Sequence, residues 1–254
     1  MGDQLEAGIR AIQLPGSVTY AFLPHTPHSQ QLANTAYEQG KEVMLHLPMQ
    51  AITAKALGPG GLTLNMSRAQ FHDTLLSDLA SIPHVVGINN HMGSLLTRHP
   101  GHMQWLMEEI KQHNNLYFID SRTTNRTVAY QLAQEQHVPS RQRDVFLDDD
   151  ARPDAVIHQF TRLIEKASRE GSAIGIGHPY ESTLQVLAVM IPELEHLDIE
   201  LVPVSQLVYE KPTPTTRIAK TRQTPPPATI TEPLVFNLTT SEPASKQSDK
   251  HLIH

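Results

Sequence analysis

From residue 17 to residue 203 the chain alternates short apolar runs with longer amphipathic stretches, and few folds tolerate that rhythm. The runs SVTYAF (17–22), EVMLHL (42–47), VVGIN (85–89), LYFID (116–120), DVFLD (144–148), AIGIG (173–177) and IELVP (199–203) have the length of strands. Helix-like segments lie between them at 29–39, 67–80, 100–113, 125–136, 153–169 and 182–196. Ser67 with Gln70 three residues on has the form of a capping box. Phe71, Leu75, Leu76 and Leu79 then fall at helical spacing, which predicts one buried face. Strand–helix alternation predicts a parallel sheet joined by right-handed crossovers. Nearly continuous apolar strands fit burial on both faces. An open doubly wound sheet and a closed or distorted barrel both satisfy the pattern.

After Glu210 the chain becomes rich in Pro, Thr and Ser, so two regions are expected: a folded domain at 1–210 and a disordered tail at 211–254. Within the tail only LVFNL (234–238) is apolar enough to dock on anything. The tail helps explain a hydrophobic fraction of 39%, below the usual ~45–50%. The net charge is −6 and no Lys/Arg cluster stands out, which argues against a nucleic-acid partner. There are no cysteines, so any metal site must be built from His, Asp and Glu. No run approaches the ~20 apolar residues of a membrane helix, and MGDQLEAGIRAIQLPG is too polar for a signal peptide.

In a parallel α/β sheet, residues just past the C-terminal strand ends share one rim, and ligands bind there. That rim gathers His46, then Asn90-His91-Met92-Gly93-Ser94, then Asp120-Ser121-Arg122, then Asp148-Asp149-Asp150, then Gly177-His178. Imidazole nitrogen and carboxylate oxygen are suitable zinc ligands, and a further imidazole can move a proton near neutral pH. The bland reading is that a chain with 15 histidines places some at strand ends by chance. His25, His72, His99, His102 and the remaining histidines are read as surface or loop residues. The three aspartates at 148–150 read as a solvated loop or a helix cap before Pro153, and Met44, Met49 and Met92 as packing. Gly58-Pro59-Gly60-Gly61 lacks the Lys-Ser/Thr of a phosphate loop, and Ser94 lies outside any G-x-S-x-G elbow.

LHLPMQ (45–50), GPGGLTLNMS (58–67), VGINNHMGSLLT (86–97), FIDSRTT (118–124), RDVFLDDD (143–150), AIGIGHPYESTL (173–184) and IELVPVSQLV (199–208) together resemble the divergent polysaccharide deacetylase family. The resemblance covers residues 12–208 and implies a distorted (β/α) barrel of the glycoside hydrolase/deacetylase type. It implies a hydrolase of carbohydrate metabolism that uses zinc or another divalent metal to remove acetyl groups from a polysaccharide. By position, His46 and His91 would be metal ligands and His178 the catalytic acid. Asp120 would orient catalytic groups, and Asn90, Ser94, Ser121 and Arg122 would meet the substrate.

Two departures from that family stand out. Its members begin with a strand ending Ile-Asp-Asp, followed by a hydrophobic residue and Gly, and Met1-Gly2 matches only the last two positions. Four residues after His46 stands Gln50, where mainstream deacetylases have a second His. We therefore expect Met1 to be an internal position, with the first strand, both aspartates and a signal peptide upstream. The protein would then be periplasmic or exported; if Met1 is the true start, it would be cytoplasmic. For the chain as it stands, weak or no activity is expected, with one edge of the sheet or one barrel seam left unpaired. The alternative is a non-catalytic envelope module that binds a glycan or partner on the same barrel.

Overall fold

The computed structural model describes residues 1–53, 56–113 and 115–209, so the expected tail and its apolar patch lie outside the described residues. Five parallel strands form the main sheet: β1 (Tyr20–Phe22), β2 (Val43–Met49), β3 (Val85–Met92), β4 (Tyr117–Asp120) and β5 (Ser140–Gln142). Their order in space is their order in sequence. The helices α2 (Ser29–Glu38), α3 (Arg68–Ser81), α4 (Pro100–Gln112) and α5 (Ala129–Glu135) carry the four crossovers. A doubly wound sheet reverses its strand order at a switch point, and this sheet never does. The progression is that of a barrel wall, which settles the choice left open by periodicity.

A second sheet pairs β6 (Val145–Phe146) with β7 (Gly175–Ile176), again in parallel. Two neighbouring amides mark the seam. Arg143 N–H still bonds to the Asp120 carbonyl at 2.9 Å, whereas Asp144 N–H bonds to the Ile174 carbonyl at 2.8 Å. The helices α6 (Pro153–Glu170) and α7 (Glu181–Glu193) follow β6 and β7.

Alternation along the strands sorts residues onto two faces. Val43, Leu45, Leu47, Ile88 and Phe118 belong to the larger core, together with Leu32, Phe71, Leu75, Met103 and Leu106 of the helices. Met44, Tyr117, Ile119 and Ile174 form a smaller inner cluster, against which Val204 and Leu207 of α8 (Val204–Tyr209) pack. Gly87 faces Tyr117 so closely that a Cβ there would lie 2.4 Å from the ring, so the glycine makes room for the largest inner side chain.

The capping box forms: Ser67 Oγ accepts from Gln70 N, and Gln70 Oε1 accepts from Ser67 N. The buried face of α3 differs from the expected one, because Leu76 is 37% exposed while Asp78 turns inward beside Phe71 and Leu75. Residues 199–203 form no strand. Here the chain enters α8 instead, where Val204 N–H donates to Thr19 Oγ1 and Ser205 N–H to Glu42 Oε1. Besides α8, two more elements escaped sequence reading. One is β5, whose Ser-Arg-Gln run is polar; the other is α1 (Leu5–Ile12), which packs on α2 through Gly8, where a Cβ would lie 2.4 Å from Leu32.

Met1 sits beside Phe22 as in a parallel ladder: its amino group donates to the Ala21 carbonyl, and its carbonyl accepts from Leu23 N–H, both at 2.8 Å. Met1 thus pairs the rim end of β1, while no strand among the described residues pairs with the rest of that edge, as expected. No helix among the described residues is long and apolar enough to cross a membrane.

Candidate active site

His46 stands on the inner face of β2 two residues after Met44, and on β3 the same face carries Gly87, Asn89 and His91. His46 Nδ1 lies 2.9 Å from Asn89 Oδ1, an acceptor, so Nδ1 carries the proton and Nε2 is left bare. His91 Nδ1 lies 3.0 Å from that Nε2. Burial holds both imidazoles neutral: His46 lies well below its ordinary pKa, and His91 is lowered to about 4, each helped by the nearby amino group of Met1. Asn89 was not singled out in the sequence. Its signal is parity, since 87, 89 and 91 must share one face of a strand.

His178 follows β7, and its Nδ1 lies 3.0 Å from Asp148 Oδ1. The Asp148 side chain is fully shielded, and its other oxygen accepts from the His178 backbone N–H and from Thr183 Oγ1. This pairing departs from the reading of 148–150 as a solvated run. Only Asp149 and Asp150 are exposed, and Asp150 bonds to Arg152. Asp148 shares the parity of Phe146, which puts it on the face that carries the His178 ring. Phe146 and Tyr180 flank the His178 ring, with centroids at 5.6 and 5.4 Å.

Asp120 is as buried as Asp148 but is used differently. Its Oδ1 accepts from Arg122 N at 2.8 Å, and its Oδ2 from Thr127 Oγ1 at 2.8 Å and Tyr130 N at 3.3 Å. All three donors belong to its own loop and the start of α5, so the carboxylate shapes that loop and bonds to none of the three imidazoles among the described residues. Asn90 ties the ends of β3 and β4 together: Oδ1 accepts from Ser121 N at 2.8 Å, and Nδ2 donates to the Met92 carbonyl at 2.7 Å. Ser121 Oγ accepts from Asn89 Nδ2, and Ser94 Oγ accepts from Ile52 N. A cleft of about 860 Å³ is lined by His46, His91 and His178 together with Asn90, Ser94, Ser121 and Arg122.

A sequence pattern described as divergent polysaccharide deacetylase matches residues 1–208. The chain belongs to that family. An uncharacterized protein of Haemophilus influenzae is 37% identical over 82% of this chain and 73% of its own length. The uncharacterized protein YibQ of Escherichia coli K12 is 38% identical over 79% of this chain, and the chain spans only 62% of that relative. An uncharacterized protein of Agrobacterium tumefaciens C58 has the same fold, with a TM-score of 0.79 at 24% identity over 82% of this chain and 85% of that one.

The sequence leads to the expectation of a divalent ion, and the spacing of the imidazole pair can be set against one. Adjacent nitrogens on a zinc tetrahedron lie about 3.3 Å apart, given Zn–N of about 2.0–2.1 Å, and His46 Nε2 and His91 Nδ1 are 3.0 Å apart. Asn89 fixes the His46 tautomer as an outer-shell partner would. Among the described residues no group of three or more His, Cys, Asp or Glu side chains is arranged to hold an ion, so two donors are what the pair supplies.

Proposed function

We propose that the cleft hydrolyses acetyl groups from a polysaccharide, with His178 moving the proton. The observation that carries this reading is the buried Asp148 carboxylate on His178 Nδ1, in the same cleft as the neutral His46–His91 pair. With Nδ1–H donated to Asp148, His178 Nε2 is the nitrogen left for chemistry. Asp148 fixes the ring, so His178 Nε2 can take a proton from water as the water oxygen bonds to the acyl carbon, and then give it to the departing amine or hydroxyl as the acyl C–N or C–O bond breaks and acetate leaves. A zinc-like ion would be held by His46 Nε2 and His91 Nδ1, and when bound it would act as a Lewis acid towards water and the acyl oxygen. Tyr180, about half exposed beside His178, offers a face on which a sugar ring can stack.

Metal content and acetate release from acetylated oligosaccharide test this together. We expect bound zinc that falls when His46 or His91 is changed to Ala, and acetate release that is lost in His178→Ala with zinc retained. Acetate release unchanged in His178→Ala overturns the reading. A second reading, a glycan-binding module without catalysis, draws support from the two-donor set among the described residues. It predicts saturable oligosaccharide binding with neither zinc nor acetate release.

A further inference from the structure

Arg122 is held in an unusual way. It has a left-handed backbone, φ 48°, which a non-glycine residue adopts only when its surroundings enforce it. Asp120 supplies that enforcement through the Arg122 N–H, and Arg143 adds to it by donating Nη2 to the Arg122 carbonyl at 2.8 Å and Nε to the Ser121 carbonyl at 2.6 Å. The loop thus sets an exposed guanidinium on the wall of the same cleft as His46, His91 and His178, where among the described residues no acceptor bonds to it.

A second guanidinium stands close by. Arg143 lies over the Phe146 ring at 4.9 Å, and the positive charge of Arg122 adds to burial in pushing its pKa down. Two like charges kept together at a cleft wall are a standing cost unless something negative comes between or beside them. Arg162 lines the cleft too, bonded to Gln159. Three aspartates oppose these three arginines, but Asp120 is filled by donors of its own loop and Asp144 is engaged by Lys166 at 3.4 Å, which leaves Asp149. The wall is therefore net positive on a protein whose overall charge is −6.

We propose that Arg122, braced by Arg143, binds a carboxylate on the glycan, so that the cleft prefers acidic polysaccharide to neutral polymer. This rests on the glycan reading above and adds the substrate class. A carboxylate fits better than a phosphate. One forked guanidinium is available, because two donors of Arg143 are taken by carbonyl oxygens, and a planar monoanion matches one fork. A dianion would also meet Asp149.

Calorimetric titration of the full chain with two N-acetylated tetrasaccharides tests this. One is built of N-acetylglucosamine alone; the other alternates N-acetylglucosamine with glucuronic acid. The acidic probe should bind about tenfold more tightly, the scale of one charge-assisted pair at a partly open site. Arg122→Gln should reduce that preference to about twofold or less, and Arg122→Lys should keep part of it. In the unaltered protein, raising salt from about 50 to about 500 mM should weaken the acidic probe far more than the neutral one. Equal affinity for the two probes, or a preference that survives Arg122→Gln, overturns this proposal and leaves the glycan reading standing. Binding of neither probe overturns both.

Discussion

Asp120 and Asp148 look interchangeable in the sequence. Each closes an apolar run, FID or FLD, at the rim end of its strand, and each is shielded from solvent. Their partners separate them. Asp120 accepts three bonds from its own loop, so it fixes the position of Arg122 and Thr127. Asp148 accepts from a backbone amide and a threonine on one oxygen, which leaves the other for an imidazole thirty residues away. A buried carboxylate is stable when its lone pairs are filled, and what fills them decides whether it serves the loop or the chemistry.

Asp148→Asn is the harshest way to break this comparison. If the carboxylate holds the catalytic tautomer of His178, the substitution should cut acetate release by about 10²–10⁴-fold with modest loss of stability. Nitrogen NMR of the His178 ring should show the proton leaving Nδ1. Unchanged turnover would mean that Asp148 only braces the fold, as Asp120 does. Asp120→Ala should behave in the opposite way. It strands three donors at once and should cost about 3 kcal/mol in urea unfolding, while the His178 ring signals stay in place.

Asp78 sharpens the contrast because its lone pairs are not all filled. On α3 its Oδ1 meets His25 Nε2 at 3.0 Å, and its buried Oδ2 has no partner among the described residues. Burial pushes this carboxyl up to about 8, against an ordinary value near 3.9 in the unfolded chain. Folding thus favours the protonated form. The associated stability is intact below the unfolded value and is lost as pH rises through about 8. Between about pH 6.5 and pH 8.5 the protein should lose about 2 kcal/mol relative to Asp78→Asn, which removes the titration. Parallel stability curves for the two proteins would show that Asp78 is already ionised.

The rim itself was legible. Apolar runs have visible ends, and in a parallel sheet those ends meet, so His46, His91 and His178 could be placed on one cleft before any geometry was known. What resisted reading has a common cause, which is that polar residues were taken as outward-facing. Asp148 begins a run of three acids of which only the last two reach solvent. Asn89 ends an apolar stretch, yet its parity with His91 puts it inside. The Ser-Arg-Gln strand β5 has no apolar pattern at all, because Ser140 is engaged by Gln134 and Arg141 by Ser172. His25 and His102, set aside as surface residues, make contacts that depend on partners far along the chain: His25 with Asp78, and His102 with Phe71. Such pairs cannot be read from local spacing.

The smallest effects test the comparison most closely, because the two carboxylates share one feature. Each accepts a threonine hydroxyl: Asp120 from Thr127 at 2.8 Å, and Asp148 from Thr183 at 3.0 Å. Val keeps the shape of Thr and removes the hydroxyl, so Thr127→Val and Thr183→Val each take one donor from a buried charge. Both should cost about 1.5 kcal/mol in chemical unfolding. Only Thr183→Val should also change acetate release and the NMR signal of the His178 Nδ1 proton, because an Asp148 carboxylate with one donor fewer accepts that proton in a stronger hydrogen bond. If Thr127→Val moves the His178 Nδ1 proton signal as far as Thr183→Val does, the two aspartates are coupled through the cleft wall, and their division of labour is not the one drawn from their partners.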